Sequence, residues 1–385
     1  MSAPIYLDHN ATTPVAPEVL AAMLPFFREH YGNPNSEHAL GWAADEAVSL
    51  SRKRVAKALG CDGRGLTFTS GASEAISLAL RGAASVYGGR KHRIVTVATE
   101  HKAVLTTCQS LEHDGFDLTV LPVGRDGLID LDQLRDVVDD KTLLVSVMWG
   151  NNETGVVQPI RPIAEIAHEV GAFMMSDATQ AVGKVPVHAD AAGVDLLAVS
   201  AHKFYGPKGV GALFVRRRGP RVRLQPQIAG GGQQNGLRAG TLNVPGIVGM
   251  GIAAELALTN LESDALRMES LRDRFEARLV EVVPNVRFNA TEALRLPNTS
   301  SVIFDGIESG KLLGSMREVA ASTGAACQSR AQKPSHVLTA MGLSAEESFS
   351  TVRFSLGRYT TEEEVDQAVQ YVADAVVSTR QRRAA

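Results

Sequence analysis

At 385 residues with a formal net charge of −3, the chain is too long for one ordinary core and carries no bulk charge to draw it to nucleic acid or a membrane surface. A hydrophobic share of 44% with only 5% aromatic residues suits an α/β enzyme built from Ala, Val and Leu, and no apolar run reaches spanning length. Residues 1–6 do not read as a signal peptide, so a cytoplasmic protein is expected. Three cysteines, Cys61, Cys108 and Cys327, are too few for a disulfide framework, and none stands in a CxxC pair. The arginine runs at 216–218 and 380–383 read as solvated faces or a frayed tail.

In chain order, YLDHNATTP reads as a short strand and a turn, with Pro14 and Pro17 setting up a helix over about residues 17–30. Ser36 is placed to cap a helix that Gly60 stops after Leu59. Asn33 and His38, in the polar loop between, read either as loop residues or as pocket wall. Residues 66–69 form a strand, and Gly71 permits a tight turn into a helix opened by Ala72 and Ser73. Strand, glycine and helix N-terminus together make an anion site, although ordinary capping by Ser73, with Glu74 nearby, accounts for the same residues.

Strands at 94–98, 118–123, 143–149 and 172–175 then alternate with helices at 101–113, 131–138 and 162–170. The rhythm predicts a mainly parallel, doubly wound sheet whose ligands sit beyond the carboxyl ends of the strands. His101, Asn151, Asn152, Asp177 and Gln180 fall at those ends. So does SAHKFYGPKG, residues 200–209, between strand-like runs at 194–199 and 210–215. A lysine held in a turn between buried strands is partly desolvated, which lowers its pKa and exposes a nucleophilic amine. Lys203 is therefore the candidate to hold an aldehyde cofactor; a surface turn with two lysines is the alternative.

The Gly-rich residues 230–241 do not follow a strand as GxGxxG, which rejects a dinucleotide fingerprint. A helical region over 246–280 breaks at polar residues 259–263. Shorter units follow: a strand at 302–304, a helix at 310–319, a polar loop around Cys327, a helix entered at Pro334, a strand at 352–356 and a helix at 361–379. The expected organisation is a large domain over 15–260 and a smaller α+β domain over 1–14 and 261–385. There is no repeat, no low-complexity segment and no metal-ligand spacing.

YLDHNATTP, FTSGASEA, TEHKAVL, NNETGVVQPI, DATQAVGKVP, SAHKFYGPKG, GGGQQNGLRAGT, TGAACQSRAQKPSHVL and VRFSLGRYTTEEE follow one another from residue 6 to residue 364. Together they resemble the cysteine desulfurases, in the class V aminotransferase family of fold-type I pyridoxal phosphate transferases. The segment around Cys327 resembles the group whose catalytic cysteine lies on a long loop. The resemblance implies that Lys203 forms the Schiff base with pyridoxal 5'-phosphate and that Asp177 sits on the ring nitrogen. It implies that His101 stacks on the ring and helps proton transfer, and that Asn152 and Gln180 hydrogen-bond the cofactor, Gln180 at the phenolic oxygen. Ala72, Ser73, Ser200 and His202 would bind the phosphate, joined by Thr241 from the partner of a homodimer. Arg353 would pair with the substrate carboxylate, with Asn152 and Asn33 beside it; Arg358 is a second candidate, but a structural ion pair is its more natural role.

By the same resemblance, Lys203 moves the Cα proton of L-cysteine and the Cys327 thiolate attacks the substrate sulfur. The products are L-alanine and a persulfide on Cys327, destined for an acceptor. Gln328, Ser329, Arg330, Gln332 and Lys333 make the surroundings of Cys327 polar and cationic, which favours a thiolate. A buried small hydrophobe is the alternative for a lone cysteine, and it is the reading given to Cys61 and Cys108. The chain ends soon after its last helix, without the tail that often docks an iron–sulfur scaffold protein. DNA phosphorothioation and tRNA thiolation therefore stand beside iron–sulfur assembly as destinations for the sulfur. The rival readings are a selenocysteine lyase, another class V aminotransferase-type enzyme, or a non-catalytic scaffold of the same fold.

Overall fold

The computed structural model describes residues 3–323 and 333–384, so Cys327 lies outside the described residues. The strands are β1 (Ile5–Tyr6), β2 (Leu66–Thr69), β3 (Arg93–Val97), β4 (Asp117–Leu121), β5 (Thr142–Ser146), β6 (Phe173–Asp177), β7 (Leu196–Ser200), β8 (Gly211–Val215), β9 (Val286–Phe288), β10 (Thr299–Phe304), β11 (Val319–Ala320) and β12 (Thr351–Ser355). Seven of them make one sheet in the order β2-β8-β7-β6-β5-β3-β4. All neighbours pair parallel except β8, which runs against both β7 and β2. The stretch from Ala201 to Val210 is too short for a helical crossover, so β8 returns beside β7 as an antiparallel strand.

Strands β2, β5, β7 and β8 are buried at every position, the mark of a sheet covered on both faces. Successive residues divide between two cores. Val95, Val145, Leu197, Val199 and Phe214 join helices Pro17–Met23, Ala39–Leu59, Ile160–Glu169 and Val244–Thr259 on one face. Ile94, Leu144, Leu196, Ala198 and Leu213 join helices Ala72–Tyr87 and Lys102–His113 on the other. A third core gathers Leu7 with residues from Leu271 to Val376. It fills the space between the antiparallel sheet β12-β10-β9 and helices Leu261–Val282 and Glu362–Ala384. No single helix among the described residues is long and apolar enough to cross a membrane.

Several local expectations shift for physical reasons. The helix expected over residues 17–30 is two pieces, Pro17–Met23 and Pro25–Arg28, because Pro25 cannot continue the first and instead occupies the opening turn of the second. His38, not Ser36, caps Ala39–Leu59, its Nδ1 accepting from Gly41 N; Ser36 lies two residues before the cap position. The helix expected to reach residue 319 stops at Ser315, and Val319–Ala320 pairs parallel with β1. Gly60 does end its helix, in a left-handed conformation with φ 56°.

Candidate active site

The carboxyl ends of β2, β5, β6 and β7 open into a cavity of about 590 Å³. Ten of the residues singled out from the sequence line it: Ala72, Ser73, His101, Asn152, Asp177, Gln180, Ser200, His202, Lys203 and Arg353. These come from strand ends, helix starts and the separate strand β12, up to 281 positions apart in number (Ala72 to Arg353), so the fold and not local sequence assembles them.

Lys203 ends the single 3-10 turn Ala201–Lys203 that follows β7. Its Nζ donates to the carbonyls of Asn10 at 2.5 Å and Ala11 at 2.7 Å. Asp177 closes β6, where Oδ1 accepts from Thr179 N at 2.9 Å and the residue is only 6% exposed. Gly71 precedes helix Ala72–Tyr87 with φ 157°, and no side chain among the described residues caps that helix. A Cβ added at Gly71 would approach Ser200 Oγ at 3.7 Å. The uncapped N–H groups of a 16-residue helix, beside Ser73 and Ser200, thus make a cradle suited to an anion. Capping by Ser73, the competing reading, does not occur, because the side chain lies past the cap position.

His101 caps helix Lys102–His113, Nδ1 accepting from Ala103 N at 3.1 Å, which leaves Nε2 to carry the proton of the neutral ring. His202 Nδ1 meets Thr12 Oγ1 at 3.1 Å. Burial, then Lys203, Lys208 and Lys184, lower its pKa to about 4, so the ring is neutral near pH 7. Arg353 is 2% exposed on β12, ion-paired to Asp8 at 2.6 Å and donating to the Asn152 carbonyl at 2.8 Å and Ser322 Oγ at 2.7 Å. A cation so held at the wall of a cavity suits a carboxylate ligand.

Two expected residues lie elsewhere in the single chain. Asn33 accepts from Asn35 N in an exposed loop, and Thr241 is exposed on the Gly-rich loop; neither lines the cavity. That loop is tied to the cavity rim by Arg238, paired with Glu74 at 2.9 Å. Arg358 pairs with Asp264 at 2.7 Å and lies over the Tyr205 ring at 4.7 Å, a structural role.

The structure also supplies residues that the sequence pattern misses. Asn10 is 1% exposed and accepts, through its carbonyl, from both Lys203 Nζ and Gln180 Nε2. Glu153 lines the cavity and accepts from Ser335 Oγ, and His336 meets the Glu100 carbonyl at 2.9 Å. Burial, then the nearby Asp177, hold the Glu100 carboxyl well above the usual range. Asn10 stands in YLDHNATTP, but a residue acting through its main chain leaves no side-chain signal to read. Among the described residues, no group of His, Cys, Asp and Glu has the geometry to hold a metal ion.

Comparison with known proteins gives a consistent result. The family described as Aminotransferase class-V matches residues 5–368. A protein named cysteine desulfurase IscS from Anaeromyxobacter dehalogenans (strain 2CP-C) is 47% identical over 382 residues, covering 99% of this chain and 94% of that protein. Another of that name, from Rickettsia africae (strain ESF-5), is 44% identical over 382 residues, with 99% and 93% covered. A solved structure described as a NifS-like protein superposes with a TM-score of 0.91 at 38% identity, covering 97% of this chain and 99% of that one.

Proposed function

The chain belongs to the aminotransferase class-V family, and within it we propose that the protein is a cysteine desulfurase that uses pyridoxal 5'-phosphate to take sulfur from L-cysteine. The observation that carries this reading is the meeting of Lys203, Asp177, the uncapped helix N-terminus at Ala72 and the buried guanidinium of Arg353 in one cavity. An amine, a carboxylate and an anion cradle fit the aldehyde, ring nitrogen and phosphate of that cofactor, and Arg353 fits the carboxylate of an amino acid. Sequence identity of 44–47% to proteins named cysteine desulfurase supports the choice of reaction.

When bound, pyridoxal phosphate supplies an electron sink for the bonds at Cα. The chain supplies the rest. Lys203 would hold the cofactor through its Nζ and would take the Cα proton of the substrate; the carbonyls of Asn10 and Ala11 keep that Nζ in place. Asp177, fixed by Thr179 N–H, would hold a proton at the ring nitrogen. Ala72, Ser73, Ser200 and His202 would take the phosphate, Gln180 and Asn152 would orient the ring, and His101 would have its Nε2–H available for proton transfer. Arg353 takes the substrate carboxylate, with Asn152 beside it. The Cys327 thiolate then attacks the substrate sulfur: the S–S bond forms as the Cβ–S bond breaks, and the released electron pair ends in a C–H bond of L-alanine. The persulfide passes its outer sulfur to an acceptor protein.

The working unit in this reading is a cytoplasmic homodimer in which Thr241 reaches the partner's phosphate cradle, and Asn33 acts near the substrate. The exposure of Thr241, on a loop tethered by Arg238 to Glu74, supports that assignment. Two domains, 15–260 and the remainder, are supported by the segregation of Leu7 and residues 271–376 into their own core. Incubating the purified protein with L-cysteine and a thiol reductant tests the reading. Equal yields of alanine and sulfide are expected. Pyruvate, or alanine formed only from selenocysteine, would overturn it.

A further inference from the structure

Lys184 lies four residues beyond Gln180, outside the cavity wall and only 5% exposed. Its Nζ donates to the Gln180 carbonyl at 3.0 Å and to Gln180 Oε1 at 3.1 Å. Among the described residues, no carboxylate lies within ion-pair distance of it. An ammonium buried without a counter-ion is costly, and an apolar side chain of the same length would fill the space without that cost. Burial, then Lys203 and Arg353, accordingly lower its pKa to about 7. The feature therefore calls for a reason beyond packing.

The reason lies in the other end of Gln180. Its Nε2 donates to the Asn10 carbonyl at 2.8 Å, the same oxygen that accepts from Lys203 Nζ at 2.5 Å. A side-chain amide whose oxygen is held by an N–H donor has one orientation left, with its NH2 turned to the opposite side. Gln180 lines the cavity, and the opposite side is where Lys203 lies. Charged or neutral, the Lys184 amine retains N–H bonds to hold Oε1.

We propose that Lys184 is a positioning residue: by holding Gln180 Oε1 it fixes the amide so that a donor, never an acceptor, faces the phenolic oxygen of the cofactor beside Lys203. The assignment rests on the pyridoxal phosphate reading. A donor there stabilises the oxygen in its anionic form, whereas a flipped amide would present a second oxygen and repel it.

The test is a double-mutant cycle on the holoenzyme with Lys184→Met, Gln180→Leu and the pair. The readouts are the pH midpoint of the bound cofactor's absorbance and the affinity of the cofactor-free protein for pyridoxal phosphate. Losing one hydrogen bond to the phenolic oxygen makes it more basic, so Lys184→Met should raise the midpoint by about one pH unit. Gln180→Leu should shift it in the same direction, and the double variant should match Gln180→Leu alone, because Lys184 acts through Gln180. Lys184→Gln, which keeps a donor without the charge, should restore most of the wild-type midpoint and guards against a Lys184→Met protein that does not fold. Additive shifts in the double variant, an unmoved midpoint in Lys184→Met, or no recovery in Lys184→Gln would overturn the proposal. A wild-type protein that binds no pyridoxal phosphate would instead overturn the underlying reading, and this one with it.

Discussion

Lys203 Nζ donates to the main-chain carbonyl of Asn10 at 2.5 Å, across 193 positions of the chain. The contact joins the turn after β7 to the N-terminal segment and, through Asn10, to the separate sheet that carries Arg353. Asn10 Nδ2 donates to Thr299 Oγ1 at 2.8 Å, its Oδ1 accepts from Asn298 Nδ2 at 3.0 Å, and its N–H donates to Ser355 Oγ at 2.9 Å. One buried asparagine thus ties the amine of the site to both strands, β10 and β12, that support the guanidinium.

Removal of that amine gives the simplest outcome. Lys203→Ala should purify without the yellow absorbance of a lysine-bound cofactor. Lys208 lines the same cavity and Lys184 lies behind it, so the variant treated with borohydride should be digested and mapped. A cofactor fixed to either lysine would show that Lys203 is not the residue that holds it.

Asn10→Ala addresses the tie between the sheets. The substitution leaves the side chains of Asn298 and Thr299 short of partners in a buried setting, a loss of about 1–3 kcal/mol in unfolding free energy. Denaturant titration of the cofactor-free protein measures it, and an unchanged midpoint would mean that water or rearrangement replaces the bonds.

Much of the fold and of the cavity is legible in the sequence. The strand–helix rhythm from residue 66 to residue 215 gave the main sheet because buried strands and amphipathic helices differ in period. Ten residues that line the cavity are legible because ligands gather beyond strand ends and because the motifs around Lys203, Asp177 and His101 are specific. The reversal of β8 was hidden, since strand direction depends on connection length and not on composition. Asn10 is hidden because its carbonyl, not its side chain, holds Lys203 and Gln180, and Lys184 because a lysine at the end of a motif looks solvated until its burial is seen. Asn33 and Thr241 rest on resemblance alone, as the single chain leaves both outside the cavity.

Acid should destabilise the cofactor-free protein over a defined window. His9 is lowered from 6.5 to about 4 by burial and then by Lys184, and His202 to about 4 by burial and then by Lys203. The unfolded chain therefore binds more protons than the folded one between these values. The stability these neutral rings confer is complete above pH 6.5 and is lost as pH falls toward 4. Melting temperature should drop across that interval, and His9→Gln combined with His202→Gln should flatten the drop. A double variant with the wild-type slope would assign acid sensitivity to other groups.

The shared site is open to complementation. Thr241→Ala and Lys203→Ala chains, each defective alone, should regain activity when mixed under conditions of subunit exchange, because one site of the heterodimer is then intact and the other carries both lesions. Mixed dimers no more active than the parents would place Thr241 outside the partner's cradle.

In the proposed reaction, sulfur leaves L-cysteine on the thiol of Cys327. The other two thiols are poor carriers at neutral pH: burial and then Glu100 push Cys108 up to about 12, and burial and then Asp190 raise Cys61 further still. Cys327→Ser should stay yellow and bind L-cysteine yet release no sulfide, since a hydroxyl remains protonated and cannot attack sulfur. Mass spectrometry of peptides from the wild-type protein after brief exposure to L-cysteine is the direct measurement. One added sulfur on the peptide containing Cys327, absent from Cys327→Ser, is the expected result. Added sulfur on Cys61 or Cys108, or normal alanine production by Cys327→Ser, would rule out Cys327 as the residue that takes the sulfur.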